Sequence, residues 1–187
     1  MFYDNGWPKK EGRMGLFVWR LNRIVGIIHK KTLELSEDDR ELPIVWSVMH
    51  MYSTMQLAKI VALKRGINPE LAALTAVFHD CFTLLTGSTE DHGKNAEKYI
   101  REIIDDYNSD LSGELAKISE EEMNRIIYAV SVHSNKKEIV NDSLAELMKD
   151  VDSLDGFLHG MTIYPGSSRA KRINNLFKEL DLDYQIE

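Results

Sequence analysis

Apolar residues recur along this chain mostly at intervals of three and four, the spacing of a helix with one buried face. No stretch alternates with period two for long enough to make a strand, and only four prolines and eleven glycines break the pattern. The first helix is expected over roughly Met14 to Leu35, with Phe17, Leu21, Ile24 and Ile28 on one stripe. Pro43 suits the first turn of a second helix, which Gly66 would end. That segment, "PIVWSVMHMYSTMQLAKIVALKRG", is apolar on nearly every side, the pattern of a central buried helix. Asn68 caps a third helix with Pro69 at its first position, and after the polar loop "TGSTED" a fourth runs from about His92 to Tyr107. Ser119 with Glu122 forms a capping box for a fifth helix ending near His133, and Ser143 with Glu146 repeats that signature before a sixth containing "KDVDSLDGF". Beyond the turn-like "YPGSS", a seventh holds Arg169, Lys171 and Arg172. The chain is predicted to be all-α.

Composition narrows the class. At 187 residues, 43% hydrophobic and 28% charged, one domain can bury a full core under a polar surface. The net charge of -7 disfavours general nucleic-acid binding, so no stable nucleic-acid partner is expected. A single cysteine, Cys81, cannot form an internal disulfide, and "MFYDNGWPKKEGRMG" lacks the pattern of a secretion signal. No apolar run approaches the ~20 residues that span a bilayer. A cytoplasmic protein is expected. Arg13, Arg20, Arg23, Lys30 and Lys31 accompany "GLFVW" and "IVGII", so the first helix could lie on an anionic membrane; packing of its apolar stripe on the bundle is the preferred reading.

The candidate chemistry lies in histidines on apolar stripes. His50 shares a side of its helix with Trp46, Leu57 and Val61. His79 and Asp80 stand side by side where an apolar helix ends; His92 begins the stripe His92, Ala96, Tyr99, Ile103, and His133 follows Ile126, Ala129 and Val130. A lone histidine in such a place is ordinarily a hydrogen-bonded core residue. Four of them with an adjacent aspartate, drawn from several helices, make a set that can hold a metal ion.

The order His50, then His79-Asp80, then an aspartate in "KDVDSLDGF" resembles the HD-domain metal-dependent phosphohydrolases. "ALTAVFHD", "DHGKNAEKYI" and "IIYAVSVHS" are similar to successive helices of that family, and the resemblance runs from about Trp46 to Gly160. It implies a compact helical bundle of the HD type as a single domain. Residues 1–42 would be an N-terminal extension packing on the bundle, 43–160 the motif-bearing core and 161–187 a C-terminal helix. Carried over residue by residue, it makes His50, His79, Asp80 and Asp152 the primary metal ligands. Periodicity alone chooses differently: with Leu144, Leu147, Met148 and Val151 buried, Asp155 lies nearest the middle of the stripe, flanked by Asp152 and Asp150. The family pattern favours Asp152. Asp155 ranks second, as a partner of a ligand or an active-site acid, with a helix-packing hydrogen bond as the plain alternative.

His92 and His133 stand where dinuclear members hold a second ion and where mononuclear members contact phosphate or water. The expectation is one tightly bound ion, with a second, weaker position lined by these two histidines. Mixed nitrogen and oxygen ligands suit manganese, iron, cobalt, nickel or zinc. The resemblance implies hydrolysis of a phosphate ester, of a nucleotide or related small molecule, by attack of metal-activated water. Asp80, His133 and Asp155 are the candidates to orient water or move protons. Lys94 is the first choice for a phosphate clamp, with Lys136, Lys137, Arg169, Lys171 and Arg172 behind it; solvated surface cations are the alternative for each. The rival readings are a di-iron oxygenase on the same bundle and a non-catalytic metal- or ligand-binding regulatory module. No "GYP" signature follows the motif, so the cyclic-dinucleotide phosphodiesterases of that type are not indicated.

Overall fold

The structure is a computed structural model that describes residues 13–111 and 115–187, with side chains from Arg20 onward. Among these residues there are nine helices and no strands: α1 (Arg13–Thr32), α2 (Ile44–Arg65), α3 (Pro69–Phe78), α4 (Cys81–Thr86), α5 (His92–Asn95), α6 (Glu97–Ser109), α7 (Glu120–Val132), α8 (Ser143–Leu158) and α9 (Ser168–Glu179). Local chemistry sets most of the boundaries. Gly66 ends α2 with φ 66°, a conformation in which glycine has no Cβ to clash. The Asn68 side chain accepts from the N–H groups of Glu70 and Leu71 at the start of α3, and Ser119 with Glu122 closes a capping box on α7.

The third helix ends at Phe78, beside His79 and Asp80 as expected, and a short unexpected helix, α4, follows once Asp80 leaves the helical region (φ -113°, ψ 20°). The segment expected from His92 to Tyr107 is a single turn, α5, followed by α6. Asp91 takes a left-handed conformation, φ 45°, which aspartate tolerates better than most residues, and this turns the chain just before His92. The cap of α8 also differs from the expected one. Asp142, not Ser143, accepts from the N–H of Ala145, while Glu146 accepts from the N–H of Val140.

The most enclosed helix is α3, in which every residue from Glu70 to Phe78 is buried. Its alanines, Ala72, Ala73 and Ala76, let α1, α2, α7 and α8 all approach it. The expectation that α2 is the central buried helix is therefore corrected. One of its faces packs on α3 and α8, but Val45, Met49, Tyr52, Ile60 and Leu63 are exposed.

Helix α1 lies on the bundle against α3 and α6, with Leu21, Ile24 and Ile28 fully buried. Phe17 and Arg13 fall outside the residues whose side chains are described. Arg20, one of the cations that could have met a membrane, is turned inward. Its guanidinium pairs with Glu70 at 2.6 Å and Glu122 at 2.8 Å, tying α1 to α3 and α7. Among the described residues no helix is long and apolar enough to cross a membrane. On the other side, Asp150 of α8 pairs with Arg65 and Arg172, both at 2.7 Å, which locks α2, α8 and α9 together.

The Arg20 network generates a stability prediction. Burial raises the Glu70 carboxyl above its usual value even with Arg20 beside it, so removing the cation strands a buried acid. Arg20→Met should lower unfolding free energy by about 3 kcal/mol in urea denaturation, and adding Glu70→Gln should recover part of that loss. An unchanged midpoint in Arg20→Met would show that the network does not hold α1 in place.

Candidate metal centre

Four histidines approach one carboxylate from four directions. His50 comes from the middle of α2, His79 from the C-terminal end of α3, His92 from the start of α5 and His133 from the end of α7. Each points its Nδ1 atom at a fixed acceptor. His79 Nδ1 lies 2.6 Å from the Ala76 carbonyl, His92 Nδ1 3.0 Å from Thr89 and His133 Nδ1 2.7 Å from Val130. His50 Nδ1 lies 2.5 Å from Asp155 Oδ2. Carbonyls and carboxylates only accept, so in all four rings Nδ1 carries the hydrogen and Nε2 of the neutral ring is a lone pair.

Those lone pairs meet. His50 Nε2 is 2.9 Å from His79 Nε2, and His92 Nε2 is 3.2 Å from His133 Nε2. Facing lone pairs repel unless a positive charge sits between them. Two nitrogens bound to one ion at ~2.1 Å and a right angle lie ~3.0 Å apart, so both pairs fit a shared cation. Asp80 stands between the pairs. Its Oδ2 is 3.5 Å from the Nε2 of both His50 and His79, and its Oδ1 is 3.2 Å from His92 Nε2 and 3.5 Å from His133 Nε2. Although buried, Oδ1 makes no hydrogen bond among the described residues. The donors therefore form two groups with Asp80 common to both, His50–His79–Asp80 and Asp80–His92–His133. The residues present fit a divalent cation at each.

Charge around the first group reinforces this. Burial acts against a charged His50, but Asp152, Asp155 and Asp80 outweigh it and raise its pKa to about 10. His79 is pushed the other way, to about 4, chiefly by burial and then by the charges of His50 and His133. Burial would raise Asp80, but the surrounding imidazoles prevail and hold it well below the usual carboxylate range. In the metal-free centre a proton on His50 thus supplies the positive charge that a cation would supply.

The three aspartates of α8 take three different places. Asp152 faces the centre, with Oδ1 3.2 Å from His50 Nε2 and 3.9 Å from His79 Nε2. Its Oδ2 pairs with Lys136 and lies 3.5 Å from Arg169 Nη1. Asp155 is the most buried of the three, as the periodicity indicates, and lies behind His50. It does not line the cleft, and its contact with His50 Nδ1 matches the expected place of a partner to a ligand, not that of an acid facing substrate. Asp150 is turned away into its two arginine pairs.

A cleft of about 140 Å³ opens over the centre. Leu42, Trp46 and Met161 form apolar wall, and Thr89, Ser134 and Arg169 contribute polar groups. Of the candidate phosphate clamps, only Arg169 is on this wall. Lys94, the first choice, is corrected: its side chain is 73% exposed and lies beside Asp91 at 3.7 Å, because the single turn of α5 points it outward as it points His92 in. Lys136 is corrected too; it is buried against Asp152 and donates to the His133 carbonyl at 2.7 Å. Lys137 and Lys171 are exposed, and Arg172 is bound to Glu146 and Asp150.

Some contributors are not among the candidate site residues of the sequence. The Trp46 ring stacks on His50 at 5.9 Å and meets His159 edge-on at 5.2 Å. His159 Nε2 is 3.0 Å from Ser53 Oγ and 3.5 Å from Asp155 Oδ2. Gly93 permits the second pair to form, since a Cβ there would lie 2.6 Å from the Val130 carbonyl oxygen and force α5 off α7. Of these, spacing places only Trp46, four residues before His50, on the side of the helix that His50 occupies.

Comparison with known proteins places this arrangement. No curated protein matches the chain in sequence. A crystal structure described as a predicted HD superfamily hydrolase from an uncultured Thermotogales bacterium shares the fold, with a TM-score of 0.53, 16% identity and 87% of each chain covered. The family model described as the HD domain matches residues 48–156, which hold all four histidines and the three aspartates of α8. That match takes in more than half of the 187 residues: the chain belongs to the HD-domain family.

Proposed function

We propose that this protein is a metal-dependent phosphohydrolase that cleaves a small phosphate ester, with nucleotides as the expected substrate class. The observation that supports it best is the pair of donor groups sharing Asp80, each built around two Nε2 atoms only 2.9 or 3.2 Å apart. His50, His79, Asp80 and Asp152 would hold one ion, and His92, His133 and Asp80 a second with fewer ligands and lower affinity. The mixed donors suit manganese, iron, cobalt, nickel or zinc. Bound there, such ions supply Lewis acidity toward a phosphoryl oxygen and make water a competent nucleophile near neutral pH.

The protein's own groups do the positioning. Asp155 fixes the tautomer of His50, and the three backbone carbonyls fix the other rings. Lys136 neutralises one oxygen of Asp152 and leaves the other facing the centre. Arg169, on the cleft wall, is placed to take a substrate phosphate oxygen. The cleft is smaller than the ~300 Å³ at which drug-sized sites begin, so the reacting phosphate enters while the rest of the substrate lies over the rim. A dinuclear iron oxygenase is the second reading, because a carboxylate between two histidine pairs also suits paired iron. Arg169 favours the phosphate reading. Oxygen consumption without phosphate release would reverse that preference.

Three outcomes test the proposal. Metal titration of the wild type should show two ions per chain, the His92→Ala, His133→Ala double variant one, and Asp80→Ala weak binding at both positions. Phosphate release should fall in both variants by more than the ~10–100-fold typical of losing an outer-sphere partner. Full activity in Asp80→Ala would reject the centre.

On the cleft wall, Arg169→Ala should raise KM about tenfold or more, whereas Lys94→Ala should leave KM unchanged. Equal effects would return Lys94 to the site.

Metal binding should also release protons. His50 is charged in the metal-free centre up to about pH 10 and must be neutral to bind an ion, so affinity should rise with pH through the neutral range. Calorimetry in buffers of different ionisation enthalpy should show about one proton released at pH 7 when the first site fills. Release of none would mean that His50 is already neutral.

A further inference from the structure

Helix α2 presents His50 inward and an unusual face outward. Apart from Lys64 near its end, its exposed residues are Val45 (64%), Met49 (46%), Tyr52 (39%), Gln56, Ile60 (54%) and Leu63 (69%). They follow one another at steps of three or four, forming one stripe ~27 Å long. No Asp, Glu, Lys or Arg occurs from Leu42 to Ala58. A surface helix places charged residues on its solvent side, and isolated exposed apolar residues are ordinary, but a continuous uncharged stripe marks a contact face. The sequence is patterned for burial all round, and the fold buries every side but this.

We propose that this stripe is the contact between two copies of the chain, paired antiparallel about a two-fold axis at the level of Thr54. The stripe is complementary to itself read backwards. In that pairing Val45 meets Leu63 of the partner subunit, Met49 meets Ile60 of the partner subunit and Tyr52 meets Gln56 of the partner subunit. Each contact occurs twice, as a two-fold interface requires. The charges at the ends agree. The turn before α2 carries Glu37, Asp38, Asp39 and Glu41, while Lys59 and Lys64 lie toward its C-terminus. Arg40 does not cancel that acidic turn at the surface, because its guanidinium is turned onto the carbonyls of Leu42, Thr83 and Leu84. Lys64 is shared with Asp181 at 3.1 Å, and Lys59 carries no salt bridge among the described residues. Antiparallel pairing sets acidic turn against lysine end and opposes the two helix dipoles; parallel pairing would set like against like. A stripe ~27 Å by ~10 Å offers roughly 300 Å² on each copy, about 600 Å² in all and below the ~1,200 Å² of standard interfaces, so the pair should be weak and form only toward the top of the micromolar range.

Sedimentation velocity of the full chain from ~1 to ~200 µM should show monomer passing to dimer. Met49→Glu and Ile60→Lys, each at an exposed position and checked for helicity, should each raise the dissociation constant about tenfold or more. The double variant should recover most of the lost affinity, because antiparallel pairing sets each glutamate against a lysine. A wild type that stays monomeric at the highest concentration overturns the proposal, as does a dimer that neither substitution weakens. A double variant no tighter than the singles overturns the antiparallel register.

Discussion

Everything near the site depends on keeping lone pairs face to face. His50 and His79 hold their Nε2 atoms 2.9 Å apart, and His92 and His133 theirs 3.2 Å apart, with the half-buried Asp80 carboxylate between the pairs. Such an arrangement is unfavourable without added positive charge, and the fold maintains it by anchoring every ring from behind. Two of the anchors come without any extra residue. Ala76 and Val130 lie in the last turns of α3 and α7, where carbonyls keep accepting capacity, and each accepts from the ring of the histidine three residues on, Val130 from the His133 backbone N–H as well. A histidine just past a helix end is thereby oriented by the helix itself. His50, inside α2, has no such carbonyl free, and Asp155 from α8 serves instead.

The same constraint explains the charge arrangement around α8. Asp150, Asp152 and Asp155 lie within six residues, and three nearby carboxylates would repel one another unless separately compensated. Their helical positions send them to different partners. Asp150 meets Arg65 and Arg172, Asp152 meets Lys136 and Arg169, and Asp155 meets His50. Arg172 and Lys136 are linked in turn, since the Arg172 guanidinium donates to the Lys136 carbonyl at 2.9 Å. The C-terminal helix is thus part of the electrostatic balance of the centre although it lies beyond the matched family region.

The sequence carried the helices and the inward histidines because both are local patterns. Apolar spacing located the long helices, and caps at Asn68 and Ser119 fixed two starts. The choice among the α8 aspartates needed two kinds of information: periodicity identified Asp155 as the most buried, and the family pattern identified Asp152 as the one facing the histidines. What spacing could not supply was the direction of long cations. Lys94 is two residues from His92 yet points into solvent, because neighbours two apart on a helical turn project to different sides. Lys136 looked like a surface residue and is buried, since its partner comes from a distant helix. The helix end at His79-Asp80 was legible, but the backbone conformations that make the breaks at Asp80 and Asp91 were not, because apolar spacing does not encode them.

Those breaks are what make the centre. A continuous helix through His79 and Asp80 would turn the two side chains about 100° apart, and only one could face His50. Leaving the helical region at Asp80 swings its carboxylate back, so that Oδ2 faces the His50–His79 pair and Oδ1 faces the other. The left-handed turn at Asp91 does the same for His92, and Gly93 lets that turn sit against α7 close enough to reach His133. Enlarging Gly93 would therefore separate the second pair while leaving the first intact, which makes the backbone at residues 91–93 the element that sets whether the centre has one position or two.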